Sequence, residues 1–144
     1  MPNTQPVAEF LLVDDDPRIS EFLATYLSKR GHPSNATLEA EKALHWLSEN
    51  RCEVVVVDLN FPNAKGRSLI ASLRAIDARL PIVVFTENGC NEVQVRAAMR
   101  AGANGYVSKN LPMEQLYCVL ERVLAAARYN ARRVRLQREL LGAT

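Results

Sequence analysis

Long apolar runs are missing from this chain. Nothing approaches the ~18 consecutive apolar residues that a membrane-spanning helix needs, so no membrane association is expected. Cysteine is sparse and poorly spaced for chemistry. Cys52, Cys90 and Cys118 are odd in number and form no C-x-x-C pair. That argues against a disulfide framework or a zinc site and fits a reducing, cytoplasmic setting. Residues 1–10 lack the basic patch and apolar stretch of a secretory signal. No internal repeat or low-complexity linker is present, and 144 residues suffice for one domain with a proper core but not for two ordinary ones.

The charge is balanced overall at +2 but unevenly placed. Residues 128–144 carry five arginines against Glu139, a net +4, while the remainder holds 13 basic and 15 acidic residues, a net −2. A mildly acidic body therefore carries a basic tail.

Short apolar runs alternate with amphipathic stretches. Phe10-Leu11-Leu12-Val13 reads as a buried strand stopped by Asp14-Asp15-Asp16-Pro17, with Asp16 placed to cap a helix and Pro17 in its first turn. Ile19, Phe22, Leu23, Tyr26 and Leu27 predict one buried helix face, ended near Gly31. Residues 32–37 predict an edge strand, and Ala40, Ala43, Leu44 and Leu47 a second helix. Val54-Val55-Val56-Val57 is β-branched throughout, as a central parallel strand would be, and Asp58 closes it. A loop with Pro62 and Gly66 precedes a helix with Leu69, Ile70, Leu73 and Ile76 on one face. Ile82-Val83-Val84-Phe85 predicts a strand ending at Thr86, residues 91–101 a helix, and residues 104–108 a short strand followed by Lys109. Five strands alternating with five helices predict an α/β fold with a doubly wound parallel sheet covered on both faces.

In such sheets, ligands bind beyond the carboxyl ends of the strands. The residues in that position are Asp14 and Asp15, Asp58, Thr86 and Lys109. Each alone reads as a cap or a solvated loop residue; four strand ends supplying three carboxylates, a hydroxyl and an ammonium read as a site. Two carboxylates ~5 Å apart repel by ~3 kcal/mol at an effective dielectric of 20. A divalent cation with oxygen ligands removes that repulsion. The set predicts a magnesium-dependent phosphoryl site in which a carboxylate can act as nucleophile.

The elements Val13-Asp14-Asp15, Val57-Asp58-Leu59 with Pro62 and Gly66, Phe85-Thr86, and Gly102-Ala103 with Tyr106 and Lys109 resemble the receiver family of bacterial response regulators, over residues 10–127. The resemblance implies a flavodoxin-like strand order 2-1-3-4-5. It implies that Asp58 is the phosphoacceptor, taking its phosphoryl group from a sensor histidine kinase, a histidine phosphotransfer protein or a small phosphodonor. Asp14, Asp15, Asp58 and the Asn60 backbone carbonyl would hold Mg²⁺ or Mn²⁺. Lys109 would pair with Asp58 and then with its phosphate. Thr86 would bond the phosphate, and Tyr106 would follow inward, reshaping the face formed by the fourth helix, fifth strand and fifth helix. The protein would catalyse only its own phosphorylation and dephosphorylation. Three positions depart from the family pattern: Asn110 replaces the usual Pro after Lys109, Glu87 replaces a small residue after Thr86, and Phe61 replaces Met. A non-proline cis bond costs ~3 kcal/mol, so a trans bond or a reshaped loop is expected after Lys109. Glu87 would either crowd the phosphate mouth or point to solvent.

Competing readings are a receiver-like interaction module independent of phosphate, and a phosphatase of the haloacid-dehalogenase type suggested by Asp14-x-Asp16. The second fits poorly, because Pro17-Arg18 stands in place of Gly-Thr and Asp58 is left without a role. Flavin binding fails because acids end the first strand where a phosphate needs donors.

From Pro112 to Leu141 no helix breaker occurs, and thirty helical residues span ~45 Å. Leu116, Val119, Leu120, Val123, Leu124 and Ala127 would pack on the sheet. Residues 128–144 would form a basic helical extension beyond a receiver domain of residues 1–127. The register Leu116, Leu120, Val123, Ala127, Asn130, Val134, Gln137, Leu141 could form a short coiled coil. The extension is thus expected to dimerise or to connect to an output domain; the fourth-helix to fifth-helix face is a second candidate dimer surface. Direct nucleic-acid binding is the weakest reading, since no helix-turn-helix accompanies the arginines.

Overall fold

The computed structural model describes residues 7–59, 65–87 and 92–142. In chain order the elements are β1 (Val7–Val13), α1 (Pro17–Lys29), β2 (Ser34–Thr37), α2 (Ala40–Glu49), β3 (Arg51–Val57), α3 (Lys65–Ile76), β4 (Ile82–Thr86), α4 (Glu92–Ala101), β5 (Gly105–Ser108) and α5 (Met113–Leu140). The strands form one parallel sheet in the order β2-β1-β3-β4-β5. This is the expected doubly wound α/β architecture.

Alternation along the strands feeds two cores. Leu11, Val13, Val55, Val57, Ile82 and Val84 face α2, α3 and α4, where Ala43, Leu69, Ile70, Leu73 and Ala98 meet them. Phe10, Leu12, Val54, Val56, Val83 and Phe85 face α1 and α5, against Leu23, Leu27, Leu116, Leu120 and Leu124. Each such Val, Leu, Ile or Phe side chain contributes about 1.5–3 kcal/mol on full burial. Two-sided burial is why β3 reads as a continuous valine run rather than an alternating pattern.

Asp16 caps α1 as anticipated: its side chain accepts from the Arg18 backbone N–H, and Pro17 opens the helix. Gly31, at φ +81°, turns the chain out of α1 in a backbone region that favours glycine. Three positions differ from expectation. Phe22, expected on the buried face of α1, is 59% exposed. The helix is rotated so that Ser20, Leu23 and Leu27 face inward, and the Phe22 ring instead stacks on Tyr26 at 6.4 Å. Ile76, expected on the buried face of α3, is 51% exposed because it lies at the last residue of the helix. Gly66, expected in a loop, lies in the first turn of α3, where backbone N–H groups have no partner within the helix and helical propensity matters least.

The 28 residues of α5 span roughly 42 Å, against roughly 23 Å for a seven-residue strand such as β1. Leu116, Leu120 and Leu124 are buried, and Val119, Val123 and Ala127 are half-buried. Beyond them only Val134 is partly covered among the described residues, so the helix overhangs the sheet as its length required. It crosses residues 127 and 128 without interruption. Arg128 still reaches the body, donating to both Glu53 carboxylate oxygens at 2.8 and 3.0 Å. No described helix is long and apolar enough to cross a membrane.

Candidate functional site

Register brings the acids together. Val13 pairs with Val57 across β1 and β3, and the Asp58 N–H donates to the Val13 carbonyl at 2.9 Å. Asp14 and Asp58 therefore leave adjacent strands side by side. On the other side, Thr86 pairs with Ser108 across β4 and β5. The Lys109 N–H donates to the Thr86 carbonyl at 2.6 Å, which fixes where the lysine leaves the sheet. Among the described residues no peptide bond is cis, so Asn110 follows Lys109 through a trans bond. The Asn110 and Leu111 N–H groups turn back onto the Ser108 hydroxyl and carbonyl.

Lys109 reaches into the acids. Its Nζ lies 2.6 Å from Asp14 Oδ2 and 3.2 Å from Asp58 Oδ2. The side chains of Lys109, Asp14 and Asp58 are 7%, 9% and 3% exposed. Ligand oxygens of Asp14, Asp15 and Asp58 all lie within 4.8 Å of one another. Asp15 is the exposed member, so the cluster opens to solvent on that side. Hard oxygen donors at this spacing fit a small divalent cation, which takes carboxylates and waters together.

The electrostatics are unbalanced. Burial pushes the Asp14 carboxyl above its ordinary pKa and the Asp58 charge adds to this; the Lys109 hydrogen bond and the Asp16 N–H, which donates to Asp14 Oδ1 at 2.9 Å, oppose it without cancelling it. For Lys109, burial alone would favour the neutral amine. The Asp14 hydrogen bond and the charges of Asp58 and Asp14 more than reverse that, so the ammonium is held protonated above its usual range. Three carboxylates facing one ammonium leave an excess of negative charge that a cation would relieve.

Above the acids lies an open cleft of about 600 Å³ whose lining includes Asp15, Arg18, Asp58, Glu87 and Lys109. Glu87 is exposed at its mouth, so it neither enters the carboxylate cluster nor leaves the cleft. Thr86 is fully buried at the end of β4. Tyr106 is half-buried on β5 and packs against the core under α2, α3 and α4. Asn60, expected to offer a backbone carbonyl, lies outside the described residues, as do Phe61 and Pro62.

Three contributions are not evident from the sequence. The resemblance pairs Lys109 with Asp58 alone, yet its shorter contact is to Asp14. Ser20, buried beneath the site, donates its hydroxyl to the Asp14 carbonyl at 3.4 Å. Arg18, at the cleft mouth, is held to Asp16 at 3.3 Å. The signal for Ser20 is its i, i+3, i+7 spacing with Leu23 and Leu27, which puts a hydroxyl on the buried stripe of α1.

Comparison with known proteins bears on the family and the fold. A family model described as the response regulator receiver domain matches residues 10–121. The chain is 34% identical over 116 residues to the two-component response regulator PhoP of Pseudomonas aeruginosa, covering 81% of this chain and 51% of that protein. It is 33% identical over 123 residues to the virulence transcriptional regulatory protein PhoP of Salmonella choleraesuis, covering 84% and 52%. The chain thus spans about half the length of the curated relatives it matches. The receiver domain of NtrX from Brucella abortus superposes with a TM-score of 0.75 at 27% identity, covering 81% of this chain and 98% of that one. A CheY-like receiver domain protein from Methanospirillum hungatei JF-1 gives 0.80 at 18% identity, covering 87% and 99%, a likeness of fold alone. With its strand order, its matched residues and these relatives in agreement, the chain belongs to the receiver domain family of two-component response regulators.

Proposed function

We propose that this domain is a phosphoryl-accepting switch. Asp58 takes a phosphoryl group from the phosphohistidine of a sensor kinase or histidine phosphotransfer protein, or from a small acyl phosphate. One observation carries the reading: Lys109 Nζ lies within contact of both Asp14 and Asp58 beside a third carboxylate. A carboxylate oxygen of Asp58 would attack phosphorus as the bond to the donor nitrogen breaks, and the imidazole would leave with the electron pair. Asp14, Asp15, Asp58 and the Asn60 carbonyl would hold Mg²⁺ or Mn²⁺. When bound, the cation would neutralise charge gathering on the transferred group. Lys109 would give up Asp58 for a phosphoryl oxygen while keeping Asp14, which holds its ammonium in place. The Thr86 hydroxyl would donate to a second oxygen, and Tyr106 would move into space beside it. The new dianion is the charge change that drives the switch, and the face of α4, β5 and α5 is the surface it reshapes.

The chain would speed only its own phosphorylation and dephosphorylation, in the cytoplasm. Overhanging α5 would join the switch to an output domain or to a second copy. A phosphate-independent interaction module is the second reading, favoured by Glu87 at the cleft mouth.

Incubation with acetyl phosphate and magnesium, followed by rapid intact-mass measurement, separates the two. One added phosphoryl mass is expected, absent from Asp58→Ala and suppressed by EDTA. No adduct, with no beryllofluoride binding, would replace the switch by the interaction module.

A further inference from the structure

At the end of the sheet opposite the carboxylates, the chain entering β4 and β5 and the last part of α5 enclose a groove of about 870 Å³. Pro81, Val123, Ala127 and Val134 give it an aliphatic lining. Arg79, Arg122 and Arg133 stand around it, all exposed. None of the three is ion-paired among the described residues. Asp77, the acid closest to Arg79 in sequence, accepts from the Arg79 backbone N–H at 2.9 Å and does not line the groove.

Asn104 sharpens the chemistry. Its Oδ1 accepts from the Ile82 N–H at 2.9 Å and from Arg74 Nη2 at 2.7 Å. With the oxygen committed, its amide N–H groups remain for a partner. The rim therefore offers three guanidinium groups and an amide donor, a set that matches carboxylates. The lined stretch of α5, from Arg122 to Val134, is roughly 18 Å long, about the length of a three-turn helix.

We propose that this groove docks an acidic amphipathic segment of a partner protein, its apolar side chains on the aliphatic lining and its carboxylates on Arg79, Arg122 and Arg133. A second copy of α5 is a poor occupant, because residues 128–144 carry five arginines against one glutamate and would meet like charge. Nucleic acid fits less well, since among the described residues no aromatic side chain lines the groove for bases to stack on. The surface lies at the other end of the sheet from the phosphoryl site and shares no lining residue with the cleft above the acids.

The probe is a fluorescein-labelled helical peptide of leucine, alanine and glutamate, with leucines at helical i, i+3, i+7 spacing, titrated by anisotropy at two salt concentrations. Saturable binding is expected, weakened at least tenfold by Arg79→Glu with Arg122→Glu. The same charge change off the groove, Arg132→Glu with Arg138→Glu, should weaken it less than threefold. Urea midpoints check that both double variants fold. Several results would overturn the proposal: no binding at millimolar peptide, equal weakening by the two doubles, equal binding of a sequence-scrambled peptide, displacement of the peptide by an oligonucleotide of higher affinity, or a dimer in sedimentation that excludes the peptide.

Discussion

Replacing Asp14 by asparagine should make the protein more stable at neutral pH. Ligand oxygens of the three acids lie within 4.8 Å of one another, and two charges at that distance repel by about 3.5 kcal/mol at an effective dielectric of 20. Two such repulsions act on Asp14, about 7 kcal/mol in all. The attraction to Lys109 Nζ at 2.6 Å is about 6 kcal/mol on the same scale. The pair terms nearly cancel, and the cost of burying the charge, several kcal/mol per ion before compensation, leaves ionised Asp14 a net liability. The amide keeps the shape and the oxygen that accepts from the Asp16 N–H, and it removes the charge; its NH2 group then faces the Lys109 ammonium, which gives up Asp14 and keeps Asp58 as its partner. A gain of about 1–3 kcal/mol is expected, read as a shift of the urea midpoint at unchanged slope.

The pH dependence gives that prediction a second arm. The Asp14 pKa is raised in the fold. Its contribution to stability is therefore fully present below the unfolded carboxyl value and is lost as pH rises through the folded one. The advantage of the Asp14→Asn variant should accordingly be small near pH 4 and largest near pH 7. Magnesium should narrow the gap by stabilising the wild type, by about 1.4 kcal/mol at ten times its dissociation constant. A less stable Asp14→Asn variant at pH 7 would refute the reasoning, since it would mean that the Lys109 pairing outweighs repulsion and burial together.

Two further outcomes test the scaffold. Arg74 donates to the carbonyls of Gly102, Leu80 and Asp77 and to Asn104 Oδ1; Arg74→Ala leaves partly buried carbonyls without partners and should cost about 2–4 kcal/mol in urea unfolding, and a loss below about 1 kcal/mol would show that water replaces the guanidinium. Burial pushes the Cys52 thiol up to about 12 whereas Cys118 is exposed, so peptide mapping after maleimide treatment at pH 8 should find Cys118 labelled and Cys52 labelled only in urea; equal labelling of both in the folded protein would contradict the burial.

The strand ends are legible in the sequence because parallel pairing converts sequence position into place. Val13 and Val57 each end an apolar run and fall in register, so the residues after them had to meet. Thr86 and Lys109 follow from the β4–β5 pairing in the same way. Helix orientation is less legible. Apolar spacing alone puts Phe22 inward, but Ser20, Leu23 and Leu27 take the buried face and Phe22 is left exposed, stacked on Tyr26. The preference of Lys109 for Asp14 depends on side-chain reach, which periodicity does not encode. Arg74 is invisible for a similar reason: nothing in its neighbours says that a charged residue will spend its donors on backbone carbonyls across two loops.

The two ends of the sheet are under opposite electrostatic regimes, and α5 runs alongside both. At the carboxyl end, buried acids outnumber the one lysine among them, so that end is poised to gain stability from a cation. At the amino end, Arg128 pairs with Glu53 and reaches Glu9, while Arg79, Arg122 and Arg133 around the groove have no acid to pair with among the described residues. The packing of α5 spans this division. Leu116, Leu120 and Leu124 join it to the sheet core, and Tyr117 shares a hydrogen bond with His32 at 3.0 Å, tying it to the start of β2. A shift of α5 at its junction with β5 would move the helix as a rigid rod, since 28 residues run without a break. Its arginine-bearing overhang would then be displaced relative to Arg79 and Asn104, which stay with the sheet. The spacing of the groove's donors is thus geometrically coupled to the position of α5, the element that the phosphoryl switch is proposed to act on.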